Sequence, residues 1–131
     1  MDWIIGIFLI LHGLVHLLYA GHALAFFELT PGFAWPGDAL LFRRIADKRK
    51  LRLGVGVLLS IAALGFVISG VRYLINPSWG HPELLFSAIF SSLIFLLLWN
   101  GTKKRLHDQG AIAILINVAI IAIALFNRSN L

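Results

Sequence analysis

The sequence predicts an all-α protein: an integral membrane four-helix bundle, mostly antiparallel, with a basic interfacial helix between helices one and two. Three observations lead there. Hydrophobic residues make up 60% of the chain and charged ones 13%, where an ordinary soluble domain carries about 25% charged residues. The mean hydropathy is +0.90. The apolar residues fall into four runs and the basic residues gather between them, as they do in the cytoplasmic loops of membrane proteins. At 131 residues the chain is read as a single transmembrane domain.

The first run covers 3–27, with Trp3 at its outer end, where an indole suits head-group depth. It closes at Glu28-Leu29-Thr30-Pro31-Gly32, since Pro and Gly end a helix. About 25 apolar residues exceed a signal-peptide core and suffice to span. Met1-Asp2-Trp3 in front of them has an acid and no Lys or Arg, so the run is read as a retained helix. The stretch from Phe33 to Arg52 mixes apolar and basic residues in ALLFRRIADKRKLR, and Asp38 is placed to cap a helix there. Such a segment lies flat on a bilayer.

The second run, 53–74, is rich in small residues, and Gly56 with Ser60, like Gly65 with Ser69, are four apart. That spacing lets helix backbones approach closely. A link carrying Trp79, His81 and Glu83 leads to the shortest run, 84–99, with Ser87 and Ser91 on one face. GTKKRLHDQG then precedes the last run, 111–126, which contains Asn117.

Charge sets the expected orientation. Arg43, Arg44, Lys48, Arg49, Lys50 and Arg52 lie between runs one and two, and Lys103, Lys104 and Arg105 between runs three and four. Only Arg72 and Arg128 stand on the other side. The positive-inside bias puts both basic loops in the cytoplasm and both termini outside the plasma membrane. The six basic residues of the first loop are expected to contact anionic lipid head groups. The net charge of +5 is thereby explained without nucleic acid, for which no recognition motif is present.

The candidate functional residues are in the first run. His12 and His16 are four apart, so they project within about 40° of each other, with Tyr19 on the same stripe. A polar ring at that depth needs a partner and should face protein. Counting about 1.5 Å per residue puts His12, His16, Ser60, Ser91 and Asn117 roughly 13 to 20 Å below the outer surface of the hydrocarbon core. The expected ligand-binding set is therefore His12, His16, Tyr19, Ser60, Ser91 and Asn117.

Three readings of this layer stand open. It is interhelical bonding that supports assembly with a second copy or a membrane partner; or it binds a small ligand, with haem b, a quinone or a metal ion in view; or His12, His16, Tyr19 and His22 form a proton or solute path, as imidazole titrates near neutrality. Histidines at i and i+4 can share a metal, but such sites recruit a third ligand, and Glu28, Glu83 and Asp108 all lie near run ends. Haem b wants facing imidazoles, and His81 and His107 fall in links, so a second copy would have to supply the other ligand. His22, His107 and Glu28 are expected to be separately solvated at the interface. There is no cysteine, phosphate loop, HExxH helix, GxSxG elbow or pair of intramembrane carboxylates, which argues against an enzyme.

LHGLVHLLYAGHALAF, and more weakly LLLWNGTKKRLHDQGAIAILINVAIIAIAL, resemble segments of a group of small uncharacterised prokaryotic four-span membrane proteins. The group shares an HGxxHL signature in its first helix. The resemblance implies a four-helix membrane protein with His12, Gly13 and His16 as marker residues. It implies no mechanism.

Overall fold

The structure, a computed structural model, describes residues 2–79 and 81–130. It is all-helical: α1 Asp2–Ala23, α2 Lys48–Ile75, α3 Pro82–Leu97 and α4 Ala111–Ser129. Among the described residues α1, α2 and α4 are long and apolar enough to cross a membrane, and α3 is a shorter apolar helix. Consecutive helices pack on one another, α1 on α2, α2 on α3 and α3 on α4. Two apolar clusters form, one around Leu9, Phe66 and Leu84, the other around Leu59, Phe95 and Trp35.

Small residues decide how α1 meets α2. A Cβ at Gly13 would lie 2.9 Å from the Ala63 carbonyl oxygen, and one at Gly70 would lie 2.7 Å from the Gly6 carbonyl oxygen. Only hydrogen fits at these crossings. Gly56 and Gly65 likewise leave room for neighbours, the Leu24 side chain and the Ser87 hydroxyl. Ser60 and Ser69 complete these four-residue spacings. Their hydroxyls donate back to the carbonyls of Gly56 (2.8 Å) and Gly65 (2.6 Å) on their own helix, a local bond open to serine within a helix.

The polarity of the molecule runs inside out. His12, His16, Ser69, Ser87, Ser91 and Asn117 are buried, while Leu64, Leu115 and Phe126 are 61%, 70% and 69% exposed. α3 opens with Pro82 and Glu83 in its first turn, where a missing N–H and a negative charge both suit a helix start.

Two expectations need correction. Helix α1 stops at Ala23 and does not continue to 27. Ala25 takes a left-handed φ of 63°, Phe26 N donates to Gly21 O and Ala25 N to His22 O. These two bonds make a Schellman ending, which sequence reading overlooks when the left-handed residue is not Gly.

The second correction concerns the interfacial helix between 33 and 52. There is none: Leu40–Phe42 makes one 3-10 turn, and residues from Lys48 onward belong to α2. Trp35-Pro36-Gly37 interrupts any helix, and Trp35 and Ala39 are fully buried, so the segment folds inward. Asp47, not Asp38, caps α2, accepting from Lys50 N at 3.1 Å. Asp38 accepts from Asn100 Nδ2 at 3.3 Å.

Replacing Gly70 with Ala should lower the thermal stability of detergent-purified protein, since overpacking costs about 1–3 kcal/mol. Gly54 has nothing within 4 Å of its virtual Cβ, so Gly54→Ala should be neutral or gain about 0.5–1 kcal/mol. Melting curves of the two variants check this. At Ala25 the direction reverses, because glycine removes a left-handed penalty of about 1–2 kcal/mol; Ala25→Gly should melt higher than the parent.

Candidate functional site

The buried stripe of α1 comprises Gly6, Leu9, His12, Gly13, His16 and Ala20, the i, i+3, i+4 pattern of one helix face. Gly13 sets α1 against α2, and this brings both imidazoles beneath Phe66 of α2. The ring centroids lie 4.7 Å from His12 and 5.0 Å from His16. Phe95 of α3 closes on His16 at 5.7 Å. The two imidazoles meet edge to face at 4.8 Å.

Within this aromatic enclosure four hydrogen bonds close a ring through three helices. His12 Nε2 and Asn117 Oδ1 are 2.8 Å apart, Asn117 Nδ2 and Ser91 Oγ 2.9 Å, Ser91 Oγ and His16 Nε2 2.5 Å, and His16 Nδ1 and the His12 carbonyl oxygen 2.8 Å. Donor chemistry fixes the direction of each. A carbonyl oxygen only accepts, so His16 Nδ1 carries a proton and donates to His12 O. With His16 neutral, its Nε2 then accepts from the Ser91 hydroxyl. Ser91 Oγ in turn accepts from the Asn117 amide, and Asn117 Oδ1 accepts from His12 Nε2–H. Each of the four bonds joins a donor to an acceptor with both rings uncharged. The tautomers are Nδ1–H at His16 and Nε2–H at His12.

Three of the six expected ligand residues besides His12 join this ring: His16, Ser91 and Asn117. Ser60 does not, because its hydroxyl is spent on Gly56 O. Tyr19 is drawn to the other end, where its hydroxyl donates to His107 O at 2.8 Å and its ring packs on Trp35 and Phe95.

That end also overturns the reading of His22 as a solvated interface residue. His22 is fully buried. Its Nδ1 accepts from Leu29 N at 3.3 Å, which leaves Nε2 to donate to Trp35 O at 2.7 Å. The ring stacks on Phe33 at 5.0 Å, and Phe33 stacks on Trp35 at 6.1 Å. His107 remains exposed beside Asp108, at 3.4 Å. His81 is buried and faces Asn76 O at 3.1 Å.

Sequence reading missed this corner entirely. Trp35 Nε1 donates to Leu98 O, Arg43 Nη2 to Asn100 O and Leu40 N to Trp99 O. The segment after α1 is thereby laced to the one after α3. The available signal was the Trp35-Pro36 step inside a basic stretch, since an indole is a large apolar ring whose burial is favourable where its N–H finds a partner. Half of the expected head-group residues are occupied here: Arg43, Lys48 and Arg52 all donate to backbone carbonyls. Arg44, Arg49 and Lys50 form no such bonds among the described residues, although Lys50 lies 3.8 Å from Asp47.

Among the described residues no group of three or more His, Asp or Glu is arranged to hold a metal ion. Crevices of about 210, 280, 310 and 530 Å³ open among the described residues, and none of these is lined by His12, His16, Ser91 or Asn117. Compared with known proteins, the chain matches no family model, no curated protein and no solved structure.

Asn117 holds two of the ring's bonds, so Asn117→Ala orphans the His12 Nε2–H donor on one side and leaves the Ser91 oxygen short of a donor on the other. Each unsatisfied buried group costs about 1–3 kcal/mol, and the melting temperature should fall accordingly. Ser60→Ala should stay within about 0.5 kcal/mol of the parent. A double-mutant cycle on His12 and Asn117 should give a favourable coupling, and one on His12 and Ser60 none.

Proposed function

We propose that this protein is an integral membrane four-helix bundle with helices running alternately up and down, whose histidine layer is an interhelical clasp. The clasp supports assembly, of the chain with itself or with a membrane partner. The observation that carries this is the closed ring. The seven polar atoms that form the ring's four bonds are all paired within the protein, so an outside ligand at any of them would have to break a bond of the ring.

Several facts support the membrane part. Buried polar residues with an exposed apolar shell suit a hydrocarbon surround, where the backbone and polar groups must be satisfied internally. The close approaches pair Gly6 with Gly70, Gly13 with Ala63 and Leu24 with Gly56, numbers that rise on α1 as they fall on α2, which supports an antiparallel pair. The lacing between Arg43 and Asn100 supports both basic segments at one end, and their charge argues for the cytoplasmic side. On this reading both termini face outward across the plasma membrane. The likeness to the small four-span group belongs to the same proposal, and its marker Gly13 gains a reason in the close approach to Ala63.

The competing reading is a redox or transport subunit. Haem ligation through Nε2 of His16 would break the Ser91 bond, and through Nε2 of His12 the Asn117 bond. A relay through His12, His16, Tyr19 and His22 would need those groups to be linked, whereas Tyr19 and His22 donate to His107 O and Trp35 O. Neither reading gains an observation from the geometry.

The test combines spectrum and topology. Protein purified in mild detergent should show no Soret band, and His16→Leu should change stability or subunit association without releasing a chromophore. A Soret band lost in that variant would contradict the clasp. Because the chain has no cysteine, single substitutions report sidedness: Ser129→Cys should react with an impermeant maleimide on intact cells and Lys103→Cys should not. The reverse labelling would contradict the orientation.

A further inference from the structure

A crevice of about 530 Å³ opens between the end of α1 and the first turns of α2, lined by residues 23–26, Arg49, Arg52 and Leu53. Its chemistry is divided. One wall carries two guanidiniums three residues apart, on one helix face. The remainder is apolar, with Phe26 77% and Leu53 56% exposed. No carboxylate lines it among the described residues.

The two arginines differ in a way that suits binding. Arg52 is fixed: its Nε donates to Ala23 O and its Nη2 to His22 O, both at 3.0 Å. Those are carbonyls of α1's last turn, which a cation satisfies well. The guanidinium is thereby held at the crevice with Nη1 still carrying donors. Arg49 makes no hydrogen bond or ion pair with the described residues, so it can close on whatever Arg52 has positioned. A planar fork of N–H donors matches phosphate oxygens two at a time. The neighbouring crevice near Lys50 offers one ammonium already facing Asp47, and is the poorer anion site.

We propose that the Arg49–Arg52 crevice binds one anionic phospholipid, its phosphate between the two guanidiniums and an acyl chain along Leu53 and Phe26. Charge complementarity selects this occupant: two cations without a counter-charge, set directly above exposed apolar side chains. The inference rests on the membrane reading above and narrows the expected head-group contact to two of its six residues.

Native mass spectrometry of delipidated protein in neutral detergent, titrated with phosphatidylglycerol or phosphatidylcholine, tests it. One phosphatidylglycerol should be retained at concentrations where phosphatidylcholine is not. Arg49→Gln, which breaks no contact within the protein, should weaken that binding about tenfold or more, since charge-assisted hydrogen bonds are the strong class. Arg44→Gln removes the same charge away from the crevice and should weaken it less than about fivefold, the loss expected of diffuse surface attraction. Equal losses in the two variants, equal retention of both lipids, or equally tight binding of inorganic phosphate would overturn the proposal. An alkaline carbonate wash of membranes separates the two levels. Protein that stays in the pellet but shows no lipid preference defeats the lipid site alone, and protein released by the wash defeats the membrane reading beneath it.

Discussion

The arrangement depends on one constraint: polar side chains enclosed among Phe66, Phe95 and two helix backbones must satisfy one another. His12, Asn117, Ser91 and His16 do so in a ring that leaves little choice of proton position. Running the ring in the opposite sense would turn Asn117 over and make Ser91 accept from His16 Nε2. Because His16 Nδ1 already donates to a carbonyl, that alternative requires an imidazolium. The neutral order avoids placing a charge among apolar rings, where it would be costly. On the proposed membrane reading, bonds of this kind contribute only about 0.6 kcal/mol each on average, and the role proposed for them is to select one register of α1 against α3 and α4 over others that would strand a donor.

The ring in turn needs the close α1–α2 contact. Glycine at 6, 13 and 70 lets the two backbones approach until carbonyl oxygens stand where a methyl group would otherwise sit. That approach brings Phe66 over both imidazoles and turns the polar stripe of α1 away from the exterior. Packing and hydrogen bonding are thus successive layers of one interface. A larger residue at Gly13 would displace α1, and the ring with it, without touching a polar atom.

Much of this was legible from spacing and depth, and the failures have specific causes. Counting residues from the run ends brought His12, His16, Ser91 and Asn117 to one level, and those four do meet. The same count included Ser60, because depth fixes height along a helix but not azimuth, nor whether a hydroxyl turns back on its own carbonyl. Tyr19 shares the histidine stripe, yet the length of a phenol carries its hydroxyl a turn further, to His107 O. The stretch 33–52 reads as a basic amphipathic helix only if its charges face solvent or lipid. Arg43 and Arg52 instead donate to carbonyls of other segments, Lys48 donates to carbonyls within the stretch itself, and Trp35 leads the chain into the interior. Nothing in residue order alone announces that His22, Phe33, Trp35 and Phe95 will stack, since the four come from three separate segments.

Nitrogen-15 NMR of ring-labelled histidine in detergent-solubilised protein tests the central claim most directly, because the account assigns a proton to each imidazole nitrogen of the ring. His16 should give a protonated Nδ1 and an unprotonated Nε2, and His12 a protonated Nε2, with the His12 assignment lost or altered in Asn117→Ala. A His16 protonated at Nε2 alone, or a pair of histidines exchanging between tautomers as free imidazole does, would contradict the ring and the register it is held to enforce.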